Sequence, residues 1–279
     1  MNSWHAVLYG LIQGFSEFVP VSSSGHLALL PFLLEIEDPG LYFDLCLHVG
    51  TAFAVIIYFR SQLSLIYQNC LALIKNPKDY RRISENQMSL QLLMSTGVSV
   101  IAIFALMPLA KFWGRSESLI AFNLIFFGLL LFIADRFQTR YQKSPFLGSS
   151  SFFLAIMVGL AQSIAIFPGV SRSGITLTMS RFLGVSRYQA AEFSFLLSLP
   201  IILMGAAYHS LEIVIKGDVF PSLWHLSLGV LVSFLVGYTT IHFFLTWMKH
   251  RSLTLFAFYR VILAGVILLL VAQSGKHLF

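Results

Sequence analysis

QGFSEFVPVSSSG, residues Gln13 to Gly25, returns without a gap as QSIAIFPGVSRSG, residues Gln162 to Gly174; Gln, Phe, Val, two Ser and the final Gly coincide. Each copy interrupts an apolar stretch, Trp4 to Leu34 in one half of the chain and Phe152 to Leu183 in the other, so each reads as two short helices around a break. The run from Phe152 to Phe167 rises only about 24 Å at 1.5 Å per residue, too short to cross a ~30 Å hydrocarbon core comfortably, and a re-entrant hairpin fits it better than a span. A matched break in each half is how inverted-topology repeats appear in membrane sequences. The pairing predicts an all-α polytopic membrane protein, one integral membrane domain over 1–279, with inverted repeats at approximately 1–134 and 150–275.

Composition agrees with that reading. Of 279 residues 57% are hydrophobic and 11% charged, with 27 Phe and a mean hydropathy of +0.80, where a soluble domain carries about 25% charged residues. Too few charges remain to coat the core that so many apolar residues would need in water. A disordered chain, a disulfide scaffold and a nucleic-acid-binding domain are excluded, despite the net charge of +6. Cys46 and Cys70 suit neither a disulfide framework nor a zinc site. Met1 to Ser16 lacks a basic n-region and a small-residue cleavage site, so the N-terminus is expected to be retained.

Uncharged runs of spanning length place six transmembrane helices at about 43–59, 90–110, 118–134, 189–213, 221–247 and 253–272. Arg60, Lys75, Lys78, Arg81 and Arg82 follow the first span, Arg136, Arg140 and Lys143 the third, and Lys249 and Arg251 the fifth, which predicts that those loops are cytoplasmic. Glu35, Glu37 and Asp38 precede the first span without a Lys or Arg. The first hairpin is thus expected to open outward and the second inward.

Unpaired backbone at membrane depth survives only where protein buries it or a polar cavity takes it in, so both breaks are expected to meet around one site. Ser22-Ser23-Ser24-Gly25 and Ser171-Arg172-Ser173-Gly174 each precede a helical run and offer capping hydroxyls, free N–H groups and a positive helix end, an anion pocket when they face each other. Arg172 adds a planar charged fork suited to a phosphate or a carboxylate, the alternatives being a buried ion pair with Glu17 or a snorkelling side chain. Glu17 and His26 flank the first Ser cluster and add proton-transfer capacity. Ser23 reads either as a nucleophile or as a cap. His48, His209, His225 and His242 read as hydrogen-bonded filler. Glu192 reads equally as a helix cap or as a contact to Arg172 or Ser171, and Arg260 as an interfacial or interhelical charge. No Walker loop, dinucleotide fingerprint or zinc-protease motif is present, which leaves phosphate chemistry without a nucleotide.

At these residues the chain resembles the bacterial undecaprenyl-diphosphate phosphatase family, the bacitracin-resistance proteins. The likeness rests on Gln13 to His26, on Pro168 to Thr176, on Gly184-Val-Ser-Arg-Tyr with Glu192 to Pro200, and on Phe256 to Arg260. It implies hydrolysis of undecaprenyl diphosphate to its monophosphate and inorganic phosphate, recycling the lipid carrier for cell-wall synthesis. It also implies a multi-pass protein of the bacterial inner membrane with its site facing the periplasm, and bacitracin resistance, the antibiotic competing indirectly by sequestering the substrate. Carried over, Glu17, Ser23, His26 and Arg172 are catalytic; Gln13, Ser22, Ser24, Gly169, Ser171, Ser173, Gly174 and Thr176 bind substrate. Many relatives have Glu where Gln13 stands, which weakens any scheme built on two carboxylates from that helix. Family members are regarded as assisted by Mg2+ or Ca2+, expected here as a substrate-bridging ion, not a resident one, with oxygen ligands from Glu17, hydroxyls, the Gln13 carbonyl and the diphosphate itself. The mechanism expected from these residues has Arg172 and the backbone N–H groups near Ser171 and Ser173 hold the terminal phosphate while Ser23 attacks in line, activated by Glu17 or His26; His26 protonating the leaving group or attacking directly is the alternative. Two rivals stand beside it. A type-2 phosphatidic-acid phosphatase matches Ser24-Gly25-His26 and Ser171-Arg172 but has a His where Thr178 lies, and a prenyl-phosphate transporter or flippase would use the same architecture.

Overall fold

The structure is a computed structural model that describes residues 2–75, 87–114, 116–137, 151–216 and 222–274. Among them the chain forms α-helices and no strand: α1 Ser3–Ser16, α2 Ser23–Leu34, α3 Leu41–Tyr58, α4 Arg60–Lys75, α5 Gln87–Trp113, α6 Glu117–Phe137, α7 Ser151–Ser163 with a 3-10 turn Ile164–Ile166, α8 Arg172–Phe182, α9 Arg187–Lys216, α10 Leu223–His250 and α11 Thr254–Ser274. Six of these, α3, α5, α6, α9, α10 and α11, are long and apolar enough to cross a membrane, and they coincide with the six spans expected from the sequence. The chain is a multi-pass membrane protein. Of the basic residues used to orient it, Lys78, Arg81, Arg82, Arg140 and Lys143 lie outside the described residues.

One element was not anticipated. The Arg60-to-Lys75 segment, read only for its charges, is helix α4, and its Leu63 and Ile66 pack on the main core while Leu65, Tyr67, Leu71 and Ile74 stay exposed. Its apolar residues follow a helical, amphipathic spacing, but the segment as a whole is too polar to read as a span, and the sequence reading weighs only its charges.

Small residues set the helix spacing. A Cβ on Gly10 would lie 2.6 Å from the Gly229 carbonyl oxygen, one on Gly14 2.8 Å from that of Ser233, and one on Gly50 2.4 Å from that of Val230, so α1 and α3 both lie directly on α10. On the other side Gly159 of α7 would meet the Ser95 carbonyl of α5 at 2.7 Å. Ser95 and Ser99 donate their hydroxyls to the Ala155 and Gly159 carbonyls at 2.8 and 2.9 Å across the same seam. Without a hydrophobic drive between helices in lipid, such backbone-to-backbone approach and interhelical hydrogen bonding hold a bundle together. Helix α3 packs on α9, beside a core that includes Phe18, Phe59, Phe193, Phe195 and Phe244, and α6 packs on α11 around a second cluster that includes Ile120, Leu124, Leu263 and Ile267.

Both breaks have the same local form. Ser22 (φ 75°, ψ 91°) caps α2 and Ser171 (φ 69°, ψ 111°) caps α8. Each hydroxyl accepts the N–H of the glycine three residues on, at 3.4 Å from Gly25 and 3.1 Å from Gly174. Positive φ at a non-glycine residue costs roughly 1–3 kcal/mol and persists where surrounding structure holds it.

Candidate active site

Glu17 ends α1 and is almost wholly buried at 5% exposure. Its Oε2 accepts from Gln13 Nε2 at 3.0 Å and from the Ser23 hydroxyl at 2.8 Å, and it lies 3.3 Å from His48 Nε2. Its Oε1 accepts from Arg172 Nη2 at 3.0 Å. Four side chains, from α1, α2, α3 and α8, thus converge on one carboxylate. Ser23 sits at the first position of α2, where the preceding cap turns its hydroxyl back toward the end of α1. A hydroxyl donating to a carboxylate that a third group orients is the arrangement of an activated nucleophile.

The second break meets the first directly. The Ser173 hydroxyl donates to the Val19 carbonyl at 3.3 Å, and the Gly169 N–H reaches the Ser24 hydroxyl at 3.5 Å. Arg172 is held from behind by Nη1 donating to the Ser194 carbonyl at 3.1 Å, while its buried Nε has no hydrogen-bond partner. The Thr176 hydroxyl bonds the Arg172 carbonyl and the Ser194 hydroxyl, at 2.9 and 2.7 Å. The first-turn N–H groups of α8 and of α2 have no intrahelical acceptor by construction, so two positive helix ends stand beside a guanidinium.

The expected residues divide accordingly. Glu17, Ser23 and Arg172 form one connected cluster with Gln13. Ser22 and Ser171 are caps with their hydroxyls engaged, and Thr176 is fully buried against Ser194. Ser173 and Ser24 tie the breaks together, and Gly169 (φ 86°) leaves no room for a Cβ, which would come within 2.6 Å of the Ile120 carbonyl oxygen. His26 lies apart: its Nδ1 faces the Ser22 carbonyl at 2.8 Å and its Nε2 the Tyr259 hydroxyl at 2.7 Å. Because a carbonyl only accepts, Nδ1 carries the proton and Nε2 of the neutral ring accepts from the phenol.

Three readings change. His48, taken as filler, belongs to the cluster: it places one nitrogen 2.7 Å from the Asp44 carbonyl and the other on Glu17. Arg172 does form the ion pair with Glu17 that stood as an alternative to anion binding. Glu192 hydrogen-bonds Gln62 instead of reaching Arg172, and the neighbouring Ser194 takes that place. His209 and His242 do pair with neighbours, Glu212 at 3.1 Å and Tyr58 at 3.2 Å. Arg260 is interhelical and fully buried. His48 carries no local signal, whereas Ser194, Tyr259 and Arg260 lie in the stretches Glu192–Pro200 and Phe256–Arg260 that carry the family likeness without revealing what they touch; each is remote in sequence from the motif it meets.

The donor set is a poor match for a resident divalent cation. Mg2+ and Ca2+ want about six or more oxygen ligands, yet both Glu17 oxygens already take N–H or O–H donors, an arginine sits 3.0 Å away, and Gln13 Oε1 is the cluster's one buried acceptor without a partner. Among the described residues no three His, Cys, Asp or Glu side chains group as metal ligands.

Comparison with known proteins extends over nearly the whole chain. Residues 6–266 match the family model described as bacitracin resistance protein BacA. An undecaprenyl-diphosphatase of Marinobacter nauticus is 39% identical over 96% of this chain and 98% of its own length. Those of Desulforudis audaxviator and Saccharophagus degradans are 38% and 39% identical, over 99% and 97% of this chain and 100% and 99% of theirs. With a motif pair, a converged cluster and a full-length match in agreement, the chain belongs to the bacitracin resistance protein BacA family.

Proposed function

We propose that this protein hydrolyses undecaprenyl diphosphate to undecaprenyl phosphate and inorganic phosphate at the junction of its two broken segments, recycling the lipid carrier for cell-wall synthesis and thereby conferring bacitracin resistance. The observation that carries the reading is the Ser23–Glu17–Arg172 line, 2.8 and 3.0 Å long across the two breaks. An arriving diphosphate competes with Glu17 for the guanidinium fork, which matches phosphate oxygens in a bidentate manner. Glu17, so released, takes the Ser23 proton as Oγ bonds to the terminal phosphorus. The bond from that phosphorus to the bridging oxygen breaks, and its electron pair leaves with the prenyl monophosphate. Water then cleaves the phosphoserine, yielding inorganic phosphate and restoring Ser23. His26, bonded to Ser22 and Tyr259, falls to the leaving-group side in this scheme. Substrate-binding roles go to the α8 first turn and to Ser24. A divalent cation, where one assists, arrives with the diphosphate; among the described residues no cluster of His, Cys, Asp or Glu forms a cage for it.

The fold reading that goes with this function is an inverted repeat whose two broken segments are re-entrant. It is supported by matched pairs: Gly10 and Gly159 at close helix crossings, Gln13 and Gln162, Ser22 and Ser171 as positive-φ caps. It is supported also by helix exchange, since α1 packs on α10 of the other half as α7 packs on α5. A site on the periplasmic side of the bacterial cytoplasmic membrane goes with this reading, and the basic residues that follow α3, α6 and α10 support it.

Phosphate release from undecaprenyl or farnesyl diphosphate by the purified protein tests the reading, beside Glu17→Gln and Arg172→Ala, with and without EDTA. Release that both substitutions remove is expected, and EDTA sensitivity decides the cation. A folded, lipid-binding protein that releases no phosphate would overturn hydrolysis in favour of lipid transport.

A further inference from the structure

Arg260 is the largest fully buried side chain described. Its Nη2 donates to the Gly169 and Val170 carbonyls, both at 2.9 Å, and to the Asn123 carbonyl at 3.3 Å, while Nε donates to that of Leu124 at 3.2 Å. Among the described residues no carboxylate lies within ion-pair distance of it. A buried cation compensated only by carbonyl dipoles is expensive in a membrane domain, so its retention points to what it holds. What it holds is the Gly169–Val170 turn, which launches Ser171 and Arg172. Nη1, buried and without a hydrogen-bond partner, sits against the first turn of α8, where a Cβ on Gly174 would come within 2.6 Å of it. A guanidinium beside the positive end of a helix is unfavourable on its own, and an anion at that helix end repays the cost.

The preceding residue does the corresponding work on the other break. Successive residues of an α-helix point about 100° apart, and Tyr259, 42% exposed, faces α2, where its hydroxyl meets His26 Nε2 at 2.7 Å with the rings stacked 5.6 Å apart and 4° from parallel. Since Nδ1 of that ring is fixed on the Ser22 carbonyl, the phenol holds the remaining free nitrogen and sets the ring's orientation.

We propose that Tyr259 and Arg260 are positioning residues that form one brace on α11: Tyr259 fixes His26 of the first broken segment and Arg260 fixes the turn before Arg172 in the second, so α11 sets the spacing between the two halves of the site. The proposal rests on the phosphatase reading above. It is distinct from the hydrogen bonds the breaks make with each other, because both anchors lie on an element outside either break.

The test is steady-state kinetics with farnesyl diphosphate on the detergent-purified full chain, using Tyr259→Phe, Arg260→Lys, His26→Ala and the Tyr259→Phe/His26→Ala pair, with a thermal melt of each. Tyr259→Phe removes one hydroxyl; it is expected to leave KM and the melting temperature unchanged and to lower kcat on the order of tenfold, as small misplacement of a reacting group does. It is expected to cost nothing further in the His26→Ala background, because its effect passes through that ring. Arg260→Lys keeps the charge but loses the fork, and is expected to raise KM as well as lower kcat in folded protein. Unchanged kcat for Tyr259→Phe, or an equal loss with and without His26, would overturn the Tyr259 anchor. Arg260→Lys with parental kcat and KM would overturn the other; if that variant does not fold, the Tyr259 arm decides the brace alone. Inactivity of the parent protein is a different result, and it removes the phosphatase reading itself.

Discussion

Around Glu17 every neighbour is a donor, and that has consequences for single substitutions. A carboxylate held by an arginine, a histidine, an amide and a hydroxyl is fixed in orientation but is a weak base until one cation leaves. In the proposed mechanism substrate draws Arg172 from it, while His48 stays. Replacing His48 with Gln keeps a hydrogen-bond donor of similar reach but loses the ring that spans from the Asp44 carbonyl to Glu17. Its kcat/KM is expected to fall on the order of tenfold, with lipid binding retained, as one charge-assisted contact contributes about 1.5–3 kcal/mol; parental kinetics would make His48 the filler its sequence context suggests. Arg172→Lys should lose more, on the order of a hundredfold, because an ammonium cannot bond Glu17 and the Ser194 carbonyl at once and then a phosphate in a planar fork. Ser23→Ala should end turnover while leaving lipid binding intact. At this scale the sequence exposes residues that share a motif. That Glu17, Ser23 and Arg172 belong together was legible, and the structure joins them by hydrogen bonds; the contacts of His48, Ser194 and Tyr259 were not, since a polar residue in an apolar helix looks the same whether it touches a site or a carbonyl.

Among the elements, the two breaks were readable because their backbone needs are written in side chains. Ser at the cap and Gly three residues on recur in both copies, and the structure gives the Ser a positive φ in both. Two substitutions at Ser171 separate capping from backbone strain. Ala keeps the strained conformation and removes the cap, while Gly removes the cap but accepts positive φ freely. Ser171→Ala is therefore expected to be the less stable of the two, by about 1 kcal/mol, in a thermal or denaturant melt of the purified protein; equal stability would mean that the surrounding contacts, not the residue's own preference, hold the turn. The six long helices were legible from length alone, since a span must satisfy its backbone internally over a fixed thickness. Helix α4 escaped, because its charges at Arg60 and Lys75 mark a loop in hydropathy while its Leu63 and Ile66 pack on the core. Which helices cross closely was legible only in part: glycines stand out in a sequence, but that Gly10 and Gly14 meet α10, and not a nearer helix, is a property of the assembled bundle.

For the whole molecule, the pairing of halves and the sidedness of the site stand or fall together. If the halves are inverted copies, the break after α1 and the break after α7 enter from opposite faces and meet in the middle, which their mutual contacts at Val19, Ser24, Gly169 and Ser173 require of any such arrangement. The first face is marked by Glu35, Glu37 and Asp38 between α2 and α3, and the second by Lys249 and Arg251 between α10 and α11. Positive residues are retained on the cytoplasmic side and acidic ones contribute little, so the second mark carries more weight. Glu37 and Ser252 are both exposed in these two connections, which makes them suitable reporters. In a background with Cys46 and Cys70 replaced, Glu37→Cys is expected to react with a membrane-impermeant maleimide on intact cells, and Ser252→Cys only after permeabilisation. The reverse pattern would place the Ser23–Glu17–Arg172 entrance on the cytoplasmic face. Labelling of both on intact cells would mean that α3 to α10 do not cross the membrane an odd number of times, and the inverted repeat would then fail with the sidedness.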